Sequence, residues 1–358
     1  MSQGLKRIHH LELVVGNAKQ AAYFYHRAFG FDHIAYSGPE TGNSKRVSYV
    51  LRQGDIWFMI TTPLRHDDPL TSWLSLHGDG VRDISFEVDD AAAVHAEAVA
   101  GGARSHDAPF TWSDDTGAVQ KASIKAYGEV LHSFIQRDGF SGFLPGFTVR
   151  EIKGRNTGLT CVDHVVGNVE DRQMDRWVRF YGDTLGLERF VSYDDKDIST
   201  EYTALRSTVV ASPDRVIKFP INEPADGLKP SQIQEYIDAN LTAGVQHIAL
   251  KTDDILASIA ALRENGVEFL PVPEGYYDTV WDRVGDIAED RERIKDLRIL
   301  VDKDEKGYLL QLFTRPLQDR PTLFIEIIQR AGCESFGKGN FKALFETIEQ
   351  EQAKRGNL

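Results

Sequence analysis

The sequence predicts an α+β protein of two tandem modules, each built from paired βαβββ units that curl a sheet into an open half-barrel. A C-terminal helix closes the second module. Two observations predict this: four landmarks occur twice in the same order, and short alternating runs interleave with stretches of helical spacing in each copy.

The first landmark, Leu13-Val14-Val15-Gly16-Asn17, returns as His164-Val165-Val166-Gly167-Asn168. Phe24-Tyr25 followed by Gly30-Phe31 returns as Phe180-Tyr181 followed by Gly186-Leu187. The run from Gly80 to Asp90 returns from Gly244 to Asp254, and each enters an Ala-rich stretch ending in glycine, at Gly101-Gly102 and at Gly266. Phe134-Ile135-Gln136-Arg137 echoes Ile327-Ile328-Gln329-Arg330. The chain therefore divides into a first module (1–137), a Gly- and charge-rich linker (138–161), a second module (162–330) and a C-terminal lid segment with a helix (331–358).

Elements follow in order. Ile8–Val15 alternates as a strand, and Ala18–Phe29 carries helical spacing. Arg46–Ile60 holds two alternating runs split by Gln53-Gly54-Asp55, a hairpin signal. Asp83–Val88 is a strand, and Asp90–Ala100 a helix with Asp89 or Asp90 as N-cap. Two further strands complete the copy. The second copy repeats this plan, gains a charged excursion at Pro271–Arg298, and is followed by a helix over Asn340–Arg355. The concave face of such a sheet encloses a cavity.

Composition bounds the function. The 358 residues are 41% hydrophobic and 27% charged, as in a globular protein. There is no apolar run of membrane-spanning length and no signal-peptide core at the N-terminus. Two cysteines, Cys161 and Cys333, are too few for a disulfide framework, and the cytoplasm is the expected compartment. With 54 acidic against 41 basic residues, a formal charge of −13, the chain is a poor partner for nucleic acid or an anionic membrane.

Three residues of the second module carry chemistry. His164, His247 and Glu326 fall on three separate apolar strands. Glu326 sits in Leu323-Phe324-Ile325-Glu326-Ile327-Ile328, where a carboxylate is costly to bury unless it is paired or bound to a metal. Arg330 or Arg320 could serve as its partner. The repeat supplies a control: the matching first-module positions are Leu13, Asp83 and Ser133, not a ligand set. The remaining histidines, His9 and His10 among them, are expected to be structural or exposed. Two imidazoles and one carboxylate suit non-haem iron or a catalytic zinc.

The duplicated modules resemble the vicinal oxygen chelate superfamily. The second half is similar to the 4-hydroxyphenylpyruvate dioxygenases, in their bacterial form. The resemblance rests on Asp163–Asn168, Pro220-Ile221-Asn222-Glu223-Pro224, Ser231–Gln234, Gly244–Leu250, Gly307–Phe313, Arg320–Ile328 and Phe336-Gly337-Lys338-Gly339-Asn340-Phe341. It implies Fe(II), one per chain, held by His164, His247 and Glu326. It implies that Gln311 lies near the bound 2-oxo acid as a catalytic residue, with Phe313 on the same strand face. Ser207, Asn222, Gln232 and Gln246 are implied as the polar network for the substrate's phenol. Phe324, Phe336, Asn340 and Phe341 are the remaining implied substrate contacts, Phe336 and Phe341 covering the ring. The implied reaction takes 4-hydroxyphenylpyruvate and O2 to homogentisate and CO2 in tyrosine catabolism, in a homodimer or homotetramer. Three alternatives use the same scaffold: 4-hydroxymandelate synthesis from the same substrate, extradiol ring cleavage, and ligand binding without catalysis. Phe341 and Asn222 favour the dioxygenase over the first.

Overall fold

Residues 4–195, 199–200 and 202–357 are described in the computed structural model. The first module opens with β1 (Leu5–Val14), α1 (Ala18–Ala28), β2 (Asp32–Ser37), β3 (Arg46–Gln53) and β4 (Ile56–Pro63). After α2 (Pro69–His77) the unit repeats as β5 (Gly80–Val88), α3 (Ala91–Ala100), β6 (Arg104–Asp114), β7 (Gly117–Lys125) and β8 (Leu131–Gln136). Asn17 caps α1 through Gln20 N, and Asp90 caps α3 through Ala93 N, which satisfies amides that have no partner inside the helix.

The segment expected to be a linker is partly strand. β9 (Thr148–Ile152) pairs with β2 and extends the first sheet. The edge of β2 offered unpaired backbone groups, and a strand laid along it satisfies them. The second module begins at Leu159, three residues before the expected boundary. It runs β10 (Leu159–Asn168), α4 (Met174–Leu185), β11 (Glu188–Tyr193), β12 (Ala204–Ala211), β13 (Lys218–Ala225), α5 (Gln232–Asn240), β14 (Gly244–Thr252) and α6 (Ile255–Glu264). The charged excursion folds as α7 (Tyr276–Val284) and α8 (Arg291–Asp296). β15 (Leu300–Lys303), β16 (Tyr308–Phe313), β17 (Phe324–Ala331) and α9 (Phe341–Arg355) complete the chain.

The sheet orders are β6-β7-β8-β5-β1-β4-β3-β2-β9 and β11-β12-β13-β10-β14-β17-β16-β15. Apart from β9 they match strand for strand, so the duplication is real in three dimensions. Its register, however, differs from the one read in the sequence. His10 pairs with Ser85, and Ser85 with Ser133. His164 pairs with Ala249, and Ala249 with Glu326. The counterpart of His164 is therefore His10, not Leu13. The Val-Val-Gly-Asn match misled because it compares unlike places. Val14 lies opposite Gly80, whereas Asn168 lies opposite Gly244, so the second copy keeps the motif inside its strand. Pairing with the partner strand, not local similarity, sets register.

The modules share one continuous apolar core. Its centre includes His132, fully buried, whose Nε2 meets Tyr181 Oη at 2.9 Å. Phe219 of the second module stacks on the same imidazole, with ring centroids 5.9 Å apart. His9 and His10 are buried as well. No described helix is long and apolar enough to cross a membrane.

Candidate metal centre

Strand pairing builds the site. His164, Ala249 and Glu326 form one row across β10, β14 and β17. His247 lies two residues before Ala249 on β14, and so on the same face. Ala249, at the middle of the row, puts nothing larger than a methyl group between His164 and Glu326. His164 Nε2 stands 3.2 Å and His247 Nε2 3.3 Å from Glu326 Oε2. The ligand atoms all lie within 4.8 Å of one another, and no other His, Cys, Asp or Glu group among the described residues converges this way.

Each imidazole has its other nitrogen occupied. His164 Nδ1 meets Asp163 Oδ1 at 2.7 Å, and His247 Nδ1 meets Gln246 Oε1 at 2.9 Å. Both Nε2 atoms are thereby left to face Glu326. Neither suggested arginine neutralises that carboxylate. Arg330 grips Asp163, and Arg320 donates to the carbonyls of Ser75, Leu76 and Ala239. A carboxylate 2% exposed in an apolar strand thus has two imidazoles as its partners. Burial would raise its pKa, but the charge and hydrogen bonds of His164 and His247 hold it at about 2. Burial lowers His247, whereas at His164 the carboxylates of Glu326 and Asp163 outweigh burial and raise it. A buried anion facing two imidazole donors is a site built for a cation, and the set fits a divalent metal with positions left open.

The first module offers no equivalent. Asp83, the counterpart of His247, accepts from Ser85 Oγ, Ser133 N and Ser133 Oγ. Its oxygens are spent on neutral donors. In the corrected register the counterparts are His10, Asp83 and Ser133, and no metal-ligand group converges there among the described residues.

The triad opens on a cavity. Phe336 packs edge-on against His164 with centroids 5.0 Å apart, and Phe324 stacks on His247 at 4.8 Å. Phe313 and Phe341 also line the cavity. Ser207, Asn222, Gln232 and Gln246 bring hydroxyl and amide groups to the same cavity. Ser207 pairs with Asn222, and Asn222 with Asn168. That row lies four residues along β10 from His164, roughly 13 Å at strand rise. The amide Nδ2 of Asn168 is buried there without a partner.

Two expected residues lie apart from the lining. Gln311 is buried beneath the lid, its amide against Gly337. Asn340 turns its Oδ1 to Tyr276 Oη at 2.7 Å and to Arg283, anchoring the lid to α7. Several lining residues were missed: Val166, Tyr193, Leu205, Val209, Pro220 and Phe345. Phe345 was legible, because Phe341, Leu344, Phe345 and Ile348 form a helical stripe. The others are ordinary apolar strand residues, and only the curvature of the sheet marks them.

The model of the Glyoxalase/Bleomycin resistance protein/Dioxygenase superfamily matches residues 7–119 and 162–312. The chain is 48% identical to the 4-hydroxyphenylpyruvate dioxygenase of Aspergillus fumigatus, over 98% of this chain and 93% of that one. It is 47% identical to the enzyme of the same name from Dictyostelium discoideum, over 98% and 99%. Among solved structures, a mutant of 4-hydroxymandelate synthase from Streptomyces coelicolor superposes with a TM-score of 0.88 at 32% identity, over 98% and 99% of the two chains.

Proposed function

The chain belongs to the 4-hydroxyphenylpyruvate dioxygenase family, and we propose that it converts 4-hydroxyphenylpyruvate and O2 to homogentisate and CO2 with one Fe(II) per chain. The observation that carries this reading is the convergence of His164, His247 and Glu326 on the floor of an aromatic-walled cavity. These three residues would hold the metal. A bound Fe(II) supplies chelation of a 2-oxo acid and redox chemistry with dioxygen.

The protein's own part is placement. The ligand set carries one negative charge, so a divalent ion there keeps a net positive charge for the anionic end of the substrate. Among the described residues the cavity lining holds no Lys or Arg, which leaves that end of the molecule to the metal. Ser207, Asn222 and Gln232 can both donate and accept, which suits a neutral phenol at the far end. Phe336 and Phe341 offer faces for a flat ring. The apolar stripe of α9 covers the cavity and excludes water from it.

The test is product identification. Iron-loaded protein given 4-hydroxyphenylpyruvate in air should take up O2 and release CO2 in equal amounts, leaving homogentisate. 4-Hydroxymandelate as the product would move the oxidation to the benzylic carbon. Absence of O2 uptake would make the chain a binding protein.

A further inference from the structure

Three strand irregularities recur in both modules, and two of them lie beside the metal-site histidines. β10 slips against β14 between Val162 and His164, leaving Asp163 unpaired, and β14 slips between Val245 and His247, leaving Gln246 unpaired. In the first module the unpaired residues at these places are His9 and Arg82. A bulge takes its extra residue out of strict alternation. Here each bulge residue immediately precedes a metal-site imidazole and meets its Nδ1.

The two imidazoles are backed unequally. Gln246 offers a neutral carboxamide oxygen. Asp163 offers a carboxylate, itself clamped by Arg330 through Nε and Nη2 at 2.9 Å each, with Lys218 Nζ at 3.6 Å. Arg137, the counterpart of Arg330, is also present in the first module, where it reaches His9 Nε2 at 3.4 Å. The bulge and the arginine are therefore parts of the common scaffold. The carboxylate belongs only to the module that carries the triad.

We propose that Asp163 is a positioning residue for the metal centre, fixing His164 as an Nε2 donor and making it the more firmly held of the two imidazole ligands. This rests on the triad being a metal site. A carboxylate on Nδ1–H fixes the tautomer and ring orientation and strengthens the donor nitrogen, and such outer partners are worth 10–100-fold in metal affinity. His247, backed by an amide, is the looser ligand.

The test uses Co(II) as a spectroscopic probe, titrated into metal-free full-length protein. Asp163→Asn, which keeps an acceptor and removes the charge, should weaken Co(II) binding about 10–100-fold, and Gln246→Ala by a smaller factor. Equal affinity of Asp163→Asn and wild type would overturn the proposal, as would a larger loss from Gln246→Ala. If Asp163→Asn does not fold, proton NMR of the Zn(II)-loaded wild type decides. The His164 Nδ1 proton should exchange with water more slowly than that of His247, and equal rates would refute the inequality. A wild-type protein that takes up no Co(II) would overturn the metal site itself, a result distinct from either of these.

Discussion

Replacing Gly337 by alanine tests how closely the lid is fitted to the strands below it. Gly337 has φ +79°, in the left-handed region, and any residue with a Cβ is strained there by about 1 kcal/mol. The larger effect is contact. An alanine Cβ would stand 2.3 Å from Gln311 Nε2 and 3.0 Å from its Cδ and Oε1. Relief to ordinary van der Waals distance requires a shift of about 1 Å, and Gln311 is 1% exposed, so close packing resists it. The lid, with Phe336 and Phe341 on either side of Gly337, has to give way. A misplacement of that size in a substrate slot can cost on the order of 100-fold in kcat/KM. Steady-state O2 uptake measures that loss, and anaerobic binding of 4-hydroxyphenylpyruvate reports the lid without turnover. Both should weaken in Gly337→Ala. In a Gln311→Ala background the obstruction is gone, so adding Gly337→Ala should weaken anaerobic binding only slightly. Unchanged kcat/KM in Gly337→Ala would refute the reasoning. So would an equal loss of binding in both backgrounds.

Two further predictions follow from buried groups. Glu326→Gln should abolish metal retention and turnover, measured by metal analysis after dialysis and by O2 uptake. In the metal-free protein the two imidazoles hold Glu326 ionised, so the metal-free variant should melt below metal-free wild type at pH 7, and an unchanged melting temperature would show that the contact contributes no net stability. His132 is held at about 4, mainly by burial, against 6.5 when unfolded. Its folded pKa is depressed, so below pH 6.5 the unfolded chain binds a proton that the folded one refuses, and stability falls until pH reaches about 4. The full effect is about 3 kcal/mol. In urea titrations at pH 7 and pH 5, His132→Gln should lose about 2 kcal/mol less than wild type over that interval. Equal losses would place the proton elsewhere.

Much of the site was legible in the sequence because its residues are chemically out of place. A glutamate among isoleucines and phenylalanines, and a histidine on each of two other strands, are visible to alternation alone. Gln311 and Asn340 were less legible. Resemblance put them at the substrate; their packing, Gln311 under Gly337 and Asn340 against Tyr276 and Arg283, was not visible in the sequence. Their neighbours lie 26 or more positions away in the chain, beyond the reach of any local pattern.

The duplication, the two half-barrels and the out-of-place trio His164, His247 and Glu326 could be read from the chain alone. These follow from side-chain type and from periods of 2 and 3.6 residues, which are local properties of the chain. Strand pairing was needed to show that His10, not Leu13, is the counterpart of His164. The tertiary structure also decided that the supposed linker supplies β9 and that both modules share one core. The bulges that turn Asp163 and Gln246 onto the two imidazoles were equally out of reach. Each depends on pairing between strands distant in the chain, where backbone hydrogen bonding to a partner, rather than the residues themselves, sets the register.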